Sequence, residues 1–590
     1  MINKRIQSLQ KELVAKNIGV YIIPTADYHG SEYISDFFKV RQYMSGFTGS
    51  AGTLLVTKTK AYLFADGRYF LQAEAELKGS NIELIKMGLA GMPTLSELIQ
   101  KELGEGENIG FDAALISTRQ ARELEKIAKA KAGRVVSEDL VAKIWQDRPS
   151  LPKGKLWILE KQYSGESTKS KIKRLRSKMR EKHCSNHIIS SLCDIAWLLN
   201  LRGSDVECTP VFLAYLVLMG RHCTLFVDRT KLTIEVKRYL AENGVEVEDY
   251  TSAQDYCSQL RGTTLIDPNN LNYAIYRVLT CKKVEAQYPS VLMRAIKNKT
   301  EIKNIKEAHI KDAVAMCKFM YWLKTNIGKQ EMSELSVQDY LYQLRAEQKD
   351  YVGPSFGTIC AYKEHAALMH YSSSEKTNVA LKPEGLLLID SGGHYLQGTT
   401  DITRTFALGK LSAEEKMHFT TVVEAVINLA STQFLKGCRG INLDVLCREP
   451  FWKLGMDYKC GTGHGVGYLL SVHEGPQSFR WQPIPGIESA VLEPGMVTTD
   501  EPGIYLGGKY GIRIENELLC KEILTNADGT FLGFEDITYV PIDLDAIDKT
   551  YLSAPNIAYL NNYHKQVYRL ISPYLNEEEK KFLKTYTRAI

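Results

Sequence analysis

The sequence predicts a multidomain protein of α/β and α+β type, with two related α/β units ahead of a larger domain that carries the chemistry. Three observations predict it. A chain of 590 residues is too long for one hydrophobic core, so three or four domains are expected. The same order of helix, strand and paired strands occurs twice before residue 300, ending in Leu63-Phe-Ala-Asp-Gly-Arg68 the first time and Leu225-Phe-Val-Asp-Arg229 the second. Beyond residue 300, Asp390, Asp401, His464, Glu501 and Glu515 each stand among glycines, threonines or strand-forming residues.

The first unit spans residues 1–150. Ile2, Ile6, Leu9 and Leu13 recur at helical spacing, with Gly19 as the stop. Residues 20–23 form a short apolar strand closed by Pro24, and residues 53–57 and 61–65 form two more. Helices and strands then alternate to about residue 145. Residues 149–154 read as a linker. The second unit spans residues 151–296. Ile172, Leu175 and Met179 mark a helix, and the basic run 169–180 reads as its solvated face. Ile188 and Ile189 begin a strand, residues 196–203 lead to a turn, and residues 212–218 and 223–227 pair as strands. Asn298 is placed as a helix N-cap, with Glu301 three residues on. It opens the third domain, residues 297–541, with Ile302, Ile305, Met316, Met320 and Leu323 on the buried side of a long helix. Residues 542–590 form a tyrosine-rich helical extension that packs on the body or on a partner subunit.

Composition narrows the function. Hydrophobic content of 44% and charged content of 24% are those of an ordinary globular protein. A net charge of +5 over this length gives no reason to expect nucleic acid or a membrane surface as partner. The 12 cysteines are scattered, with no C-x-x-C pair, which argues against a disulfide framework or a zinc knuckle and for reduced thiols in the cytoplasm. The N-terminus is amphipathic and not a signal h-region. The longest apolar run, 212–219, is too short to span a bilayer.

The third domain holds the candidate chemistry. Asp390 ends the apolar strand 385–389, and residues 394–406 are expected to return as one strand carrying Asp401, Thr403 and Thr405 on one face. Such a hairpin brings Asp390 near Asp401, and two buried carboxylates repel unless a proton or cation lies between them. Arg513, Glu515 and Glu517 share a face in the same way, as do Thr499 and Glu501. Any one of these carboxylates alone is more simply an exposed strand residue. Four of them with a histidine set among glycines favour a metal site. The set is oxygen-rich with one nitrogen and no thiolate, which suits Mn²⁺ first, with Co²⁺ or Zn²⁺ as alternatives. Five side chains exceed what one ion takes, so two ions roughly 3.5 Å apart, sharing carboxylates and acidifying a bound water, fit better. Gly461-Thr-Gly-His-Gly-Val-Gly467 lacks phosphate-loop spacing, and its glycines are expected to let backbone pass close to metal and substrate. No H-E-x-x-H is present, which excludes a zincin.

These motifs, with Tyr21-Ile-Ile-Pro-Thr25, Ser45-Gly-Phe-Thr-Gly-Ser-Ala-Gly52, Asp66-Gly-Arg-Tyr-Phe70, Asp194-Ile-Ala-Trp-Leu-Leu-Asn-Leu-Arg-Gly203 and Tyr559-Leu-Asn-Asn-Tyr-His564, give the chain a resemblance over nearly its whole length. It resembles the aminopeptidase P family, the Xaa-Pro aminopeptidases among the pita-bread metallopeptidases, in their long three-domain form. The resemblance implies two related creatinase-type N-terminal α/β domains and a C-terminal pita-bread catalytic domain. It implies a homodimer acting on peptides with proline at the second position. Asp390 would bind one ion, Asp401 and Glu515 both, and His464 and Glu501 the second. Glu501 would also shuttle the proton from water to the leaving nitrogen. His473, in Val472-His-Glu-Gly-Pro476, would bind the scissile carbonyl and its oxyanion, and His370 would lie beside the proline. Arg513 would orient the neighbouring carboxylates, in equal balance with a plain structural role. Two departures stand out. Cys460 occupies the place of a pocket-lining histidine, and Ala361-Tyr-Lys-Glu-His365 replaces a Gly-Pro-Asn-like turn before His370. The first implies altered rate or proline fit, not loss of the metal site. The rival readings are a prolidase confined to Xaa-Pro dipeptides, a creatinase-type hydrolase, and a non-catalytic pita-bread binding module.

Overall fold

The computed structural model describes residues 1–483 and 489–590. They form two compact units, residues 1–160 with 166–290, and residues 161–165 with 291–590.

The first unit contains the duplication. Strands β1 (Ile18–Pro24), β2 (Thr53–Thr57), β3 (Ala61–Ala65), β4 (Ile82–Lys86), β5 (Asn108–Phe111) and β6 (Val135–Ser137) build a sheet ordered β4-β3-β2-β1-β5-β6. Strands β7 (Asn186–Ile189), β8 (Ala214–Met219), β9 (Cys223–Val227), β10 (Glu246–Glu248), β11 (Thr263–Ile266) and β12 (Lys282–Glu285) build a second, ordered β10-β9-β8-β7-β11-β12. Strand directions match too, with three antiparallel strands at the centre and parallel pairings outside them.

The two halves meet reciprocally. Ser117 and Asn272, each the N-cap of the helix that follows β5 or β11, pair with one another. Thr118 N donates to the Leu271 carbonyl and Tyr273 N to the Ile116 carbonyl, both at 2.9 Å. One residue on, Arg119 N donates to Pro268 O (2.9 Å) and Ala274 N to Ala113 O (3.1 Å). Contacts in which i meets j and j meets i are those of a two-fold axis.

Two local expectations change here. The first helix, Ile2–Ala15, ends before Gly19, and the turn is made by Asn17 at φ 51°. Gly19 lies inside β1, where a Cβ would strike the Glu107 and Leu103 side chains. Helix Thr168–Glu181 is not uniformly solvated on its basic side. Lys171 is buried, and its ammonium donates to the Trp197 carbonyl (2.9 Å) and to Asn200 Oδ1 (2.7 Å).

In the second unit, helix Lys299–Asn326 opens with Asn298 accepting from the Thr300 and Glu301 amides while Glu301 accepts from the Asn298 amide. Ile305, Met316, Met320 and Leu323 are buried, and Ile302 is half-buried. Strands β13 (Ile359–Tyr362), β14 (Leu386–Ser391) and β15 (Ile402–Ala407) form one antiparallel sheet. Strands β16 (Gln433–Leu435), β17 (Val497–Asp500), β18 (Gly503–Leu506), β19 (Tyr510–Arg513), β20 (Asn516–Asn526) and β21 (Gly529–Asp536) supply a sheet ordered β16-β21-β20-β17 and the hairpin β18-β19.

Residues 394–406 do not return as one strand. Gly393–Tyr395 and Gly398–Thr399 pair with each other first, and only then does β15 begin. Gly392 permits this fold-back, since a Cβ there would lie 1.9 Å from the Thr400 carbonyl oxygen. The tail packs on the body. Leu560, Tyr563, Val567, Ile571 and Leu583 share a core with Met316, Phe319, Leu386 and Phe406. Buried Arg404 ties tail to sheet, donating to Tyr563 Oη (2.9 Å), the Pro541 (3.2 Å) and Val540 (2.8 Å) carbonyls, Asn516 Oδ1 (2.8 Å) and the Glu515 carbonyl (2.6 Å).

Candidate metal centre

Each candidate ligand sits at or beside the end of a strand. Asp390 is the penultimate residue of β14, opposite Thr403 of β15. Asp401 immediately precedes β15, and its amide donates to Glu517 Oε1 (2.7 Å). Glu501 follows β17, with its amide on the Thr462 carbonyl (2.8 Å). Glu515 lies in the joint between β19 and β20, its amide on the Thr403 carbonyl (3.1 Å). His464 belongs to the short strand Gly463–His464, which pairs with Ser478–Phe479. Strand backbone thus fixes all five Cα positions.

Their side chains converge. Ligand atoms of Asp401, His464 and Glu515 all lie within 4.8 Å of one another. His464 Nε2 is 3.5 Å from Asp401 Oδ2 and 3.3 Å from Glu501 Oε1. The other ring nitrogen, Nδ1, is 3.0 Å from the Gly465 carbonyl oxygen, which makes it the protonated one and leaves Nε2 as the donor atom facing the acids. Arg513 holds Asp390 by Nη2 to Oδ2, and also donates Nη1 to Tyr505 Oη (2.8 Å) and Nε to Thr403 Oγ1 (3.1 Å). The other Asp390 oxygen, Oδ1, is buried and has no hydrogen-bond partner among the described residues.

Two of the glycines of 461–467 also make room for close backbone packing. A Cβ on Gly463 would lie 1.9 Å from the Thr499 carbonyl oxygen, and one on Gly465 would lie 2.1 Å from that of Glu474. They let the His464 strand lie directly against neighbouring backbone.

Burial dominates the electrostatics. It pushes the Asp401 carboxyl well above the ordinary range, with the Asp390 charge next in size. Glu515 is raised well above its usual value by burial and then by the Asp401 charge. Asp390 is raised by burial, although Arg513 opposes the shift. Glu501 moves the other way. Burial would raise it, but the hydrogen bond and charge of His464, followed by the charges of Arg513 and His473, hold it below. Burial would lower His464, yet the hydrogen bond to Glu501 and the charges of Glu501 and Asp401 push it up to about 9. Three buried carboxylates and the half-buried Glu501 therefore face one guanidinium and the imidazoles of His464 and His473. Added cations would relieve that excess and would give Asp390 Oδ1 a partner, so the residues fit a metal site.

Of the remaining candidates, His473 stands directly against the cluster. The His473 ring stands perpendicular to that of His464, with centroids 4.3 Å apart. His370 is half-buried in the turn after the helical turn Lys363–Ala367. The Ala366 carbonyl of that turn packs on Gly511 of β19. His365 is turned away to Glu334 Oε1 (2.9 Å) and stacks on Tyr371. Half-buried Cys460 offers its carbonyl to Arg448 Nη2 (2.7 Å).

Sequence reasoning missed several supports. Thr403 Oγ1 donates to Glu515 Oε2 (2.9 Å). Thr499 Oγ1 donates to Glu501 Oε1 (3.2 Å) and accepts from the His464 amide (2.9 Å). The signal was present, since each threonine lies two residues from a candidate acid. Glu517, whose second oxygen is 3.2 Å from His309 Nε2, carried the same mark beside Glu515, whereas Tyr505 had none.

The chain matches known families along its length. Profiles of the creatinase/prolidase N-terminal domain match residues 5–143 and 147–301. That of metallopeptidase family M24 matches 303–522, and that of the C-terminal region of peptidase M24 matches 530–590. Aminopeptidase P2 of Arabidopsis thaliana is 38% identical over 98% of this chain and 86% of its own length. Xaa-Pro aminopeptidase 1 of Dictyostelium discoideum is 36% identical over 98% of this chain and 94% of its own. The crystal structure of X-prolyl aminopeptidase from Caenorhabditis elegans, described as a cytosolic enzyme with a di-nuclear active site, superposes with a TM-score of 0.94 at 33% identity. It covers 100% of this chain and 99% of that one.

Proposed function

The chain belongs to the aminopeptidase P family of M24 metallopeptidases, with two creatinase-type domains ahead of a pita-bread catalytic domain, and from that premise we propose that it removes the N-terminal residue from peptides whose second residue is proline. The convergence of Asp401, His464 and Glu515 within 4.8 Å, beside Glu501, carries this reading. A non-catalytic binding module has no use for four acids packed around an imidazole.

Asp390 would hold one divalent cation, Asp401 and Glu515 would span both, and His464 and Glu501 would complete the second. We take Mn²⁺ as the metal on the oxygen-rich donor set. When bound, such a pair makes water nucleophilic at neutral pH and acts as a Lewis acid toward the carbonyl.

The chain's own residues do the rest. Glu501, held below the usual carboxylate range, is ionised at neutral pH and can take a proton from the attacking water. It then delivers that proton to the proline nitrogen, which has no N–H and must gain one to leave. His473, packed on His464, donates an N–H to the carbonyl oxygen as negative charge grows there. His370 flanks the proline ring, Cys460 lines the same pocket, and Arg513 keeps Asp390 aimed. A cytoplasmic homodimer completes the proposal. The C. elegans relative is described as cytosolic, and among the described residues no helix is long and apolar enough to cross a membrane.

The test is release of free arginine from an Arg-Pro-Pro peptide by Mn²⁺-loaded protein, with an Xaa-Pro dipeptide alongside. Tripeptide cleavage is expected, and activity confined to the dipeptide would mark a prolidase. Metal-loaded protein inert toward both would refute the reading.

A further inference from the structure

Behind the acidic cluster lies a second buried group of charges, and it grips the residue next to His473. Glu474 receives a bond from Arg294 Nη1 at Oε2 and from Lys297 Nζ at Oε1 (2.6 Å). Lys297 Nζ also donates to the Arg294 carbonyl (2.9 Å), so the two cations are braced against each other. Exposure is 2% at Glu474, 4% at Lys297 and 8% at Arg294, so solvent screens this triad little.

From this geometry we infer that Glu474 is a positioning residue for His473, with Arg294 and Lys297 as its anchors; the inference rests on the peptidase reading above. Three observations support it. Each Glu474 oxygen has its own cation, so the carboxylate cannot rotate without stranding one, and the backbone that carries His473 is fixed with it. The Glu474 amide donates to the Gly465 carbonyl (2.7 Å), and the Gly465 amide donates to the Gln477 carbonyl (3.1 Å). The residue after His464 and the residue after His473 are thereby joined, which sets the perpendicular packing of the two rings. Finally, the Lys297 amide donates to the Gly495 carbonyl (2.9 Å), in the turn that leads into β17 and so to Glu501. Residues 294–297 thus hold both the oxyanion-binding loop and the strand that ends at the acid–base residue. A neutral group at 474 would leave two buried cations without their counter-charge and would let the loop drift from His464.

The experiment uses full-length Mn²⁺-loaded protein and the variants Glu474→Gln, Glu474→Asp, His473→Ala and the Glu474→Gln/His473→Ala double. Glu474→Gln is expected to lower kcat on the tripeptide by about 10- to 100-fold, with KM within about threefold and metal content unchanged. Glu474→Asp should recover most of that loss. The double variant should be no slower than His473→Ala alone. Equal losses in both backgrounds, or loss of metal, would overturn the inference. If Glu474→Gln does not fold, Lys297→Met leaves Arg294 in place and is read in the same way. Should the wild type prove inert, so that the peptidase reading falls by itself, carbethoxylation of histidines read by mass spectrometry still decides. His473 should react several-fold faster in Glu474→Gln while exposed His183 and His222 are unchanged, and equal rates at His473 would sink the inference.

Discussion

The imidazole of His473 meets that of His464 edge to face at 4.3 Å, and the proposed function gives the two rings different tasks, metal ligand for His464 and oxyanion donor for His473. The pair predicts a separation of roles. His473→Ala should keep its full complement of metal and lose about 10²- to 10³-fold in kcat, the range for a removed oxyanion donor. His464→Ala should lose metal. Elemental analysis alongside steady-state kinetics distinguishes them.

Removing metal should make stability depend on pH with a definite sign. Asp390, Asp401 and Glu515 have folded-state pKa values above the unfolded ones, and His464 is pushed up to about 9. Groups raised in the fold contribute stability that is complete below their unfolded pKa and lost as pH rises through the folded one. Glu501, which is lowered, contributes in the opposite sense and only in acid. The metal-free protein should therefore lose Tm steadily from about pH 5 to pH 9. Metal should flatten the curve, so that the gap between loaded and stripped protein widens with pH. Thermal scans in chelator and in excess Mn²⁺ measure it, and a gap that narrows would contradict the charge assignment.

Glu501→Gln should remove the proton carrier while keeping shape, and kcat should fall by about 10²- to 10⁴-fold. Asp401→Asn should do more, because it removes a carboxylate from the centre of the cluster, and its metal content should fall with its rate. Titration of metal into stripped protein orders the two variants.

Cys460→His should change kcat/KM by no more than about tenfold, or about 1.4 kcal/mol, with metal stoichiometry unchanged. Arg448 engages the Cys460 carbonyl, and that bond survives the exchange of side chain. A change in metal content would show that position 460 belongs to the ligand set.

Tyr563→Phe should cost about 1–3 kcal/mol. It deletes a buried hydroxyl that accepts from Arg404 and donates to the Val540 carbonyl (2.7 Å). Denaturant unfolding reads this directly, and activity of the folded fraction should be unchanged.

Local features were the ones legible in the sequence. The Asn298 cap, the strands Thr53–Thr57 and Ala61–Ala65, and the alternation that places Thr499 with Glu501 all follow from neighbours within a few residues. The repeated order of elements disclosed the duplicated sheets because topology follows from succession. Pairings across long separations stayed hidden. Arg294 and Lys297 reach Glu474 over about 180 residues, and Arg404 reaches Tyr563 over 159. A buried lysine such as Lys171 looks in sequence like its solvated neighbours. The broken return strand was misread because Gly392 and Gly398 admit a fold-back that periodicity does not record.

The reciprocal bonds around Ser117 and Asn272 use up their own symmetry. A patch that recognises its own copy has one valence, and here that valence is filled within a single polypeptide. The fused halves behave as a dimer already formed at translation, independent of protein concentration. A second chain would have to dock through a different surface, and each assembled pair of chains would carry two such internal axes besides the one that relates them.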